Sequence, residues 1–96
     1  MVVLNNSNDY ILLGFRKSKT KNKKYDAILI NIKNYKVKYI PFGDIRYQHY
    51  KDQTNLKLYS KLDHNDKKRR NNFRKRFNKL KNNKFSSAYF AYYYLW

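Results

Sequence analysis

The chain has 96 residues, with 23 Lys and Arg against 6 Asp and Glu, a formal charge of +17, and no cysteine. That length allows one small domain with a modest core. Without cysteine, neither a disulfide nor a thiolate zinc site can staple it, so stability must come from apolar packing or from a partner. The longest apolar runs, YILLGF and AYFAYYYLW, fall short of the roughly 18–20 residues a membrane-spanning helix requires. The stretch MVVLNNSNDY lacks the basic and apolar regions of a signal peptide, so intracellular synthesis is the expectation. An excess of cations this large repels itself in a compact domain unless anions screen it, which points to an acidic partner. Nucleic acid is the first candidate, followed by an acidic protein surface or anionic lipid.

Eleven Tyr, six Phe and one Trp are expected to supply the bulk of the core. Residues 10–16, YILLGFR, suggest a short strand, although its alternation is poor and Gly14 weakens it. Residues 17–24, KSKTKNKK, carry like charges without apolar periodicity and read as a solvated loop between strands. KYDAILINIK and YKVKYIPF, joined at Lys33-Asn34, alternate as a half-buried hairpin should. In this reading Ile28, Ile30 and Ile32 share the core face with Tyr35, Val37 and Tyr39, while Lys36 and Lys38 point to solvent. Pro41 and Gly43 end the strand. Residues 43–62 read as a loop with one or two helical turns.

Asp63, followed three residues later by Asp66, has the spacing of a capping box, so a helix is expected to start at His64 or Asn65 and run to about Lys81. Phe73, Phe77 and Leu80 form its narrow apolar stripe. Ser86 or Ser87 can cap a final segment, AYFAYYYLW, read as a helix docked on the sheet or on another subunit; its aromatic run suits a strand equally. The expected fold is α+β, a single domain over 1–96 in βββαα order: a β-rich part over 10–42, a loop over 43–62 and a helical part over 63–96.

From Lys67 onward the sequence holds no acidic side chain. Lys67, Lys68, Arg69, Arg70, Arg74, Lys75, Arg76, Lys79 and Lys81 would cover most of a helix surface, with repulsions of a few tenths of a kcal/mol at each i, i+3 or i+4 pair. A merely solubilising face normally interleaves Glu, so a face that contacts a polyanion is the favoured reading. Arg16, Lys17, Lys19, Lys21, Lys23 and Lys24 would extend it. Tyr47, Tyr50 and Tyr59 could stack on bases, but core packing is the simpler assignment in so short a chain. No recognition-helix, RNP-type or zinc-finger signature is present, so binding would be electrostatic and weakly sequence-specific.

Asp44, Arg46, His49, Asp52, Asp63, His64 and Asp66 form a polar set with two readings. A divalent metal held by histidines and carboxylates would make a nuclease-like site. The spacing matches no metal motif, and a structural network of caps and Asp–Arg bridges explains the same residues more simply. No catalytic residue, metal or cofactor is assigned, and with Gly14 and Gly43 as the only glycines a glycine-rich phosphate loop is ruled out.

The strings KKYDAIL, FGDIRYQHYKD, DHNDKKRRNNFRKR and FSSAYFAYYYLW resemble a small basic family of nucleocytoplasmic large DNA viruses. The matching positions are Lys23, Lys24, Tyr25, Ala27, Ile28, Phe42, Gly43, His49, Tyr50, Asp52, His64, Asp66, Arg69, Arg70, Leu95 and Trp96. The pattern departs at Arg76-Phe77, where the family commonly has an R-H pair. The resemblance implies a viral origin and a virion or genome-associated setting, in host cytoplasm or viral factory during infection, and it implies no activity. The expected function is a non-enzymatic basic structural protein that binds packaged nucleic acid. The alternatives are a minor capsid protein bridging acidic capsid surfaces, with self-association through the aromatic C-terminal segment, and a metal-dependent nuclease.

Overall fold

A computed structural model describes residues 6–96; the reading of MVVLN therefore lies outside the described residues. A 3-10 turn at Ser7–Asp9 leads into three antiparallel strands, β1 (Tyr10–Lys17), β2 (Lys23–Asn31) and β3 (Val37–Asp44), in sheet order 1-2-3. Two helices follow, α1 (Lys67–Arg76) and α2 (Ser87–Tyr94), with 3-10 turns at Ser60–Leu62 and Leu80–Asn82. This is the expected α+β order of three strands and two helices.

The strand boundaries follow from local chemistry. In β1 the register with β2 shifts between Leu12 and Gly14, so that Leu13 is the extra residue of a bulge. The bulge explains the poor alternation: Leu12 and Phe15, three residues apart, both pack on the core. Only Ser18–Asn22 form the β1–β2 loop, because Lys17 still pairs with Tyr25, and Lys23 with Asp44, inside the sheet. The β2–β3 turn spans 32–36, where the Asn31 carboxamide oxygen accepts from the amides of Lys33 (2.8 Å) and Asn34 (3.3 Å). Tyr35 sits there at φ 58°, largely exposed, rather than in the core.

The core face of the hairpin is the opposite of the one the alternation suggested. Tyr25, Ala27 and Leu29 of β2 and Ile40 and Phe42 of β3 are buried, paired across the strands as Tyr25↔Phe42 and Ala27↔Ile40. Ile11, Leu13, Ile32, Val37 and Tyr39 are each 44% to 56% exposed. Both phases of this hairpin carry apolar residues, and the choice was made by α2, which packs on β3 and, with Leu95 just past its end, brings Phe90 into the cluster of Phe42. Lys38, opposite Leu29, stays exposed.

α2 begins as expected: the Ser86 hydroxyl caps it by accepting from the Tyr89 amide at 3.1 Å. Ala88, Phe90 and Tyr92 on this helix are buried, so the aromatic segment is docked on the chain's own sheet. α1 begins two or three residues later than the capping-box reading placed it. Asp66 is its N-cap, accepting from the amides of Lys68 and Arg69, whereas the Asp63 carboxylate is engaged by His49. Asn65 at φ 53° separates the two aspartates conformationally. The helix stops at Arg76, and Leu80 belongs to a separate 3-10 turn. No helix of the described residues is long and apolar enough to cross a membrane.

Candidate nucleic-acid interface

Charge bookkeeping begins with the six aspartates, all within the described residues. Asp9 pairs with Lys33, Asp26 with Arg16 and Asp44 with Arg46. Asp52 and Asp63 belong to a buried network, and Asp66 caps α1. None of the four ion pairs among the described residues involves a cation between 67 and 81. The positive surface of α1 therefore has no carboxylate partner inside the described fold.

The cations of this segment divide into two sets. Lys67, Lys68, Arg69, Lys75, Arg76 and Lys79 are exposed; of these, Arg69 donates to the Gln48 side chain at 3.0 Å. Arg70 and Arg74 turn inward instead, donating to the main-chain oxygen of Trp96 at 2.8 and 3.1 Å. Their guanidinium groups lie 4.6 Å from the Tyr50 ring centre and 5.2 Å from that of Tyr92. Lys81 also sits over Tyr92, at 5.1 Å. The inward pair anchors a helix that has no fully buried residue of its own. Its apolar contact is a ring stack, Phe77 on Phe73 at 4.5 Å and Phe73 on Trp96 at 4.3 Å and 5°.

The second basic run is similarly thinned. Lys17, Lys19 and Lys21 are exposed and Lys23 is half-buried. Arg16 donates to Asp26 at 3.0 Å and stacks 3.6 Å above the Tyr39 ring on the outer sheet face. Lys24 is only 2% exposed and is no part of the basic surface, although its sequence neighbours are. Its ammonium donates to the Tyr47 carbonyl at 2.9 Å and to His49 Nδ1 at 2.8 Å. Burial pulls its pKa down to about 8, against the upward pull of Asp44, Asp52 and Asp63.

This lysine enters the polar network from a side the sequence reading missed. His49 is fully buried, and burial, reinforced by Lys24, lowers its pKa, so it is neutral near pH 7. Its Nδ1 accepts from Lys24, which leaves Nε2–H to donate to Asp63 at 2.5 Å. The same Asp63 oxygen accepts the Asp52 amide at 2.8 Å. Asp52 in turn accepts from the Tyr25 hydroxyl, from the amides of Thr54 and Tyr59, and from the Thr54 hydroxyl. Burial alone would raise its pKa, but the hydrogen bonds from Thr54, Tyr25 and the backbone outweigh that and hold it below the usual range. Burial, then the Asp52 bond, pushes the Tyr25 hydroxyl up to about 12.

Of the seven predicted polar residues, His49, Asp52 and Asp63 are thus brought together. Asp44 and Arg46 form a local pair, 3.0 and 2.7 Å between side chains, whose hydrogen bonds hold Asp44 at about 2. His64 Nδ1 accepts the Asp66 amide at 2.9 Å, and its ring packs against Tyr50 and Trp96; burial, then Arg69, lowers its pKa. Thr54 was legible as the second residue after an aspartate, the spacing of an Asx turn, but Lys24 and Tyr25 reach the network through contacts 25 and 27 residues away. Among the described residues no three His, Cys, Asp or Glu side chains converge to hold a metal ion. Of the three tyrosines weighed for stacking, Tyr47 is 65% exposed, Tyr50 lies under Arg70, and Tyr59 packs on Tyr25 at 5.3 Å.

Searches against protein-family models, curated proteins and solved structures find no match for this chain.

Proposed function

We propose that the chain is a non-enzymatic nucleic-acid-binding protein that neutralises backbone phosphates through the exposed cations of α1 and the β1–β2 loop. The observation that carries this reading is the assignment of all six aspartates elsewhere, which leaves Lys67, Lys68, Arg69, Lys75, Arg76 and Lys79 without a carboxylate partner. On a duplex, binding releases counterions, with a log–log salt slope of about −0.9 for each phosphate neutralised. Titration of random duplex DNA at about 50 and about 200 mM salt tests it; several contacts predict a loss of affinity by orders of magnitude. An affinity unchanged across that range overturns the proposal. The viral and genome-packaging setting rests on the family resemblance alone.

A second reading, a minor capsid protein bridging acidic protein surfaces, is favoured by a different observation. The outer sheet face exposes Ile11, Val37 and Tyr39, with the Arg16 guanidinium stacked on Tyr39, an apolar surface with a cation on it. Its position in purified particles distinguishes the two: an ordered copy beneath a capsid shell supports bridging, and co-purification with DNA supports phosphate neutralisation.

A further inference from the structure

Two adjoining hollows, of about 440 and 250 Å³, share walls made by Gly43, Asp44, Phe73, Phe77 and Ala91. They lie where α1 faces β3 and α2. The larger is bordered by Lys23 and the smaller by Arg76, so the two basic elements of the sequence meet across this cleft. Asp44 also lines it, but its carboxylate is held by Arg46. The charge offered to an occupant is therefore positive.

The cleft also has an aromatic wall, whose end is covered only by an exposed arginine side chain. Trp96, Phe73 and Phe77 form a column of rings, with Phe73 in the middle. Phe77 is half-buried and has Phe73 as its one ring neighbour, while the Arg76 guanidinium lies 5.1 Å from its centre. A flat, electron-rich ring laid on Phe77 would lengthen the column in place of the exposed Arg76 guanidinium now over that ring, which would swing aside to flank it, with Lys23, as positive charge. Cationic grooves with exposed aromatic platforms hold single-stranded nucleic acid this way, since every base has a π-face. Bases in an intact duplex are already stacked and cannot enter.

We propose that the cleft between α1 and β3 receives an unpaired nucleobase of a single-stranded polynucleotide, stacked on Phe77, with its neighbouring phosphates on Lys23 and Arg76. The inference rests on the nucleic-acid reading and adds to it a preference for single strands. The occupant is a base rather than an acidic peptide because the flanking groups are two separated cations beside a flat ring. A size of about 440 Å³ falls in the range of small-molecule sites.

The test compares three probes of equal charge at one salt concentration, by fluorescence anisotropy on the full chain: oligothymidylate of about 15 nucleotides, an abasic oligomer of the same length, and a duplex with the same number of phosphates. Stacking predicts that oligothymidylate binds at least about 5-fold tighter than the abasic chain, and that Phe77→Leu brings the two towards parity with the salt slope unchanged. In the wild-type chain, photocrosslinking of a bromouracil-substituted strand is expected at Phe77, a readout independent of how the variant folds. Equal binding of thymidylate and abasic chains with a normal salt slope overturns the stacking site and leaves phosphate neutralisation standing. Crosslinks confined to other residues overturn it as well, as does Phe77-dependent binding of a Glu–Tyr copolymer in place of thymidylate, which would assign the cleft to an acidic protein. Failure of all three nucleic-acid probes to bind removes both readings together.

Discussion

Asp52→Asn tests the buried network most sharply, because an amide of nearly the same shape cannot replace this carboxylate. Oδ1 accepts the Thr54 amide at 3.0 Å and the Thr54 hydroxyl at 2.6 Å; Oδ2 accepts the Tyr25 hydroxyl at 2.5 Å and the Tyr59 amide at 3.2 Å. Each oxygen thus faces one main-chain N–H, which cannot turn away. Whichever way an asparagine is flipped, its NH2 meets a donor in a site where Asp52 is 1% exposed. Hydrogen bonds to a charged group contribute about 1.5–3 kcal/mol each, and a buried donor left without a partner costs about 1–3 kcal/mol. Losing the two bonds at one oxygen therefore predicts a destabilisation of about 3–5 kcal/mol, a large part of the roughly 5–15 kcal/mol that holds a small domain together. In a domain of this size the melting temperature should drop by more than about 12 °C.

Urea and thermal unfolding followed by circular dichroism measure this directly, with Thr54→Val as the companion. That variant removes a hydroxyl donor and keeps both main-chain bonds to Asp52, so it should cost about 1 kcal/mol or somewhat more. The pH dependence supplies a signature that simple misfolding lacks. The folded pKa of Asp52 lies below its ordinary value, so its contribution is present above about pH 4 and is lost as pH falls through the folded value. The wild-type and Asn curves should converge in that acid range. A loss below about 1 kcal/mol at neutral pH, or one that is the same at pH 3, would refute the assignment of Asp52 as the acceptor that gathers these donors.

Lys24, with its pKa lowered from 10.5 to about 8, should make the fold more stable as pH rises from about 8 towards 10, by up to about 3 kcal/mol before tyrosine ionisation intervenes. Lys24→Met should lack that rise in a pH series of urea midpoints. Gly43→Ala should destabilise by about 2 kcal/mol or more, because φ is +73° and an added Cβ would stand 2.8 Å from Leu95 Cδ1 and 3.1 Å from Lys24 Cδ. Val37→Lys, on the open sheet face at 47% exposure, should change stability by no more than about 0.5 kcal/mol, whereas Ile40→Lys three positions on should prevent folding; thermal melts of the pair decide which phase of β3 is the core.

The elements are readable in the sequence, whereas the phase of the sheet is read the wrong way round, for reasons visible in single residues. In 35–39 the alternation of Tyr35, Val37 and Tyr39 with Lys36 and Lys38 favours the wrong face, because Tyr25, Ala27 and Leu29 of β2 and Ile40 and Phe42 of β3 offer a second apolar phase that fills the core. The choice depends on α2, whose position is a long-range fact. Gly14 weakens the strand pattern, and the bulge beside it is what lets Leu12 and Phe15 face the same way. Asp63 and Asp66 are equally good caps by composition, and the bonds from His49 and from the Asp52 amide, fourteen and eleven residues away, remove the first from competition. Lys24 was hidden for a related reason: a lysine inside KSKTKNKK looks like charge for solvent, and its acceptors lie in a loop that the local pattern does not show.

The division of the arginines in α1 follows from the same energetics and links fold to binding. A helix with no fully buried side chain and with like charges at successive turns is marginal by itself. It is held by the Asp66 cap, the Phe73 stack on Trp96, and the Arg70 and Arg74 bonds to the Trp96 oxygen. These contacts place two cations inward, where both bond the Trp96 main-chain oxygen, and leave the remainder facing outward in mutual repulsion. An external polyanion relieves that repulsion only in the folded chain, where the charges are lined up, so its binding free energy adds to folding stability. Added duplex or single-stranded nucleic acid should therefore raise the melting temperature at low salt, with the gain fading as salt screens the phosphates. Replacing Lys67, Lys68 and Lys75 by Gln should raise the stability of the unbound chain while shrinking the shift that nucleic acid produces. Arg70→Gln should instead lower the stability of the unbound chain, because it breaks an anchor rather than a binding contact. If the lysine replacements destabilise the chain as much as Arg70→Gln does, the outward cations are held by contacts within the fold, and the separation into anchors and ligand-facing charges fails.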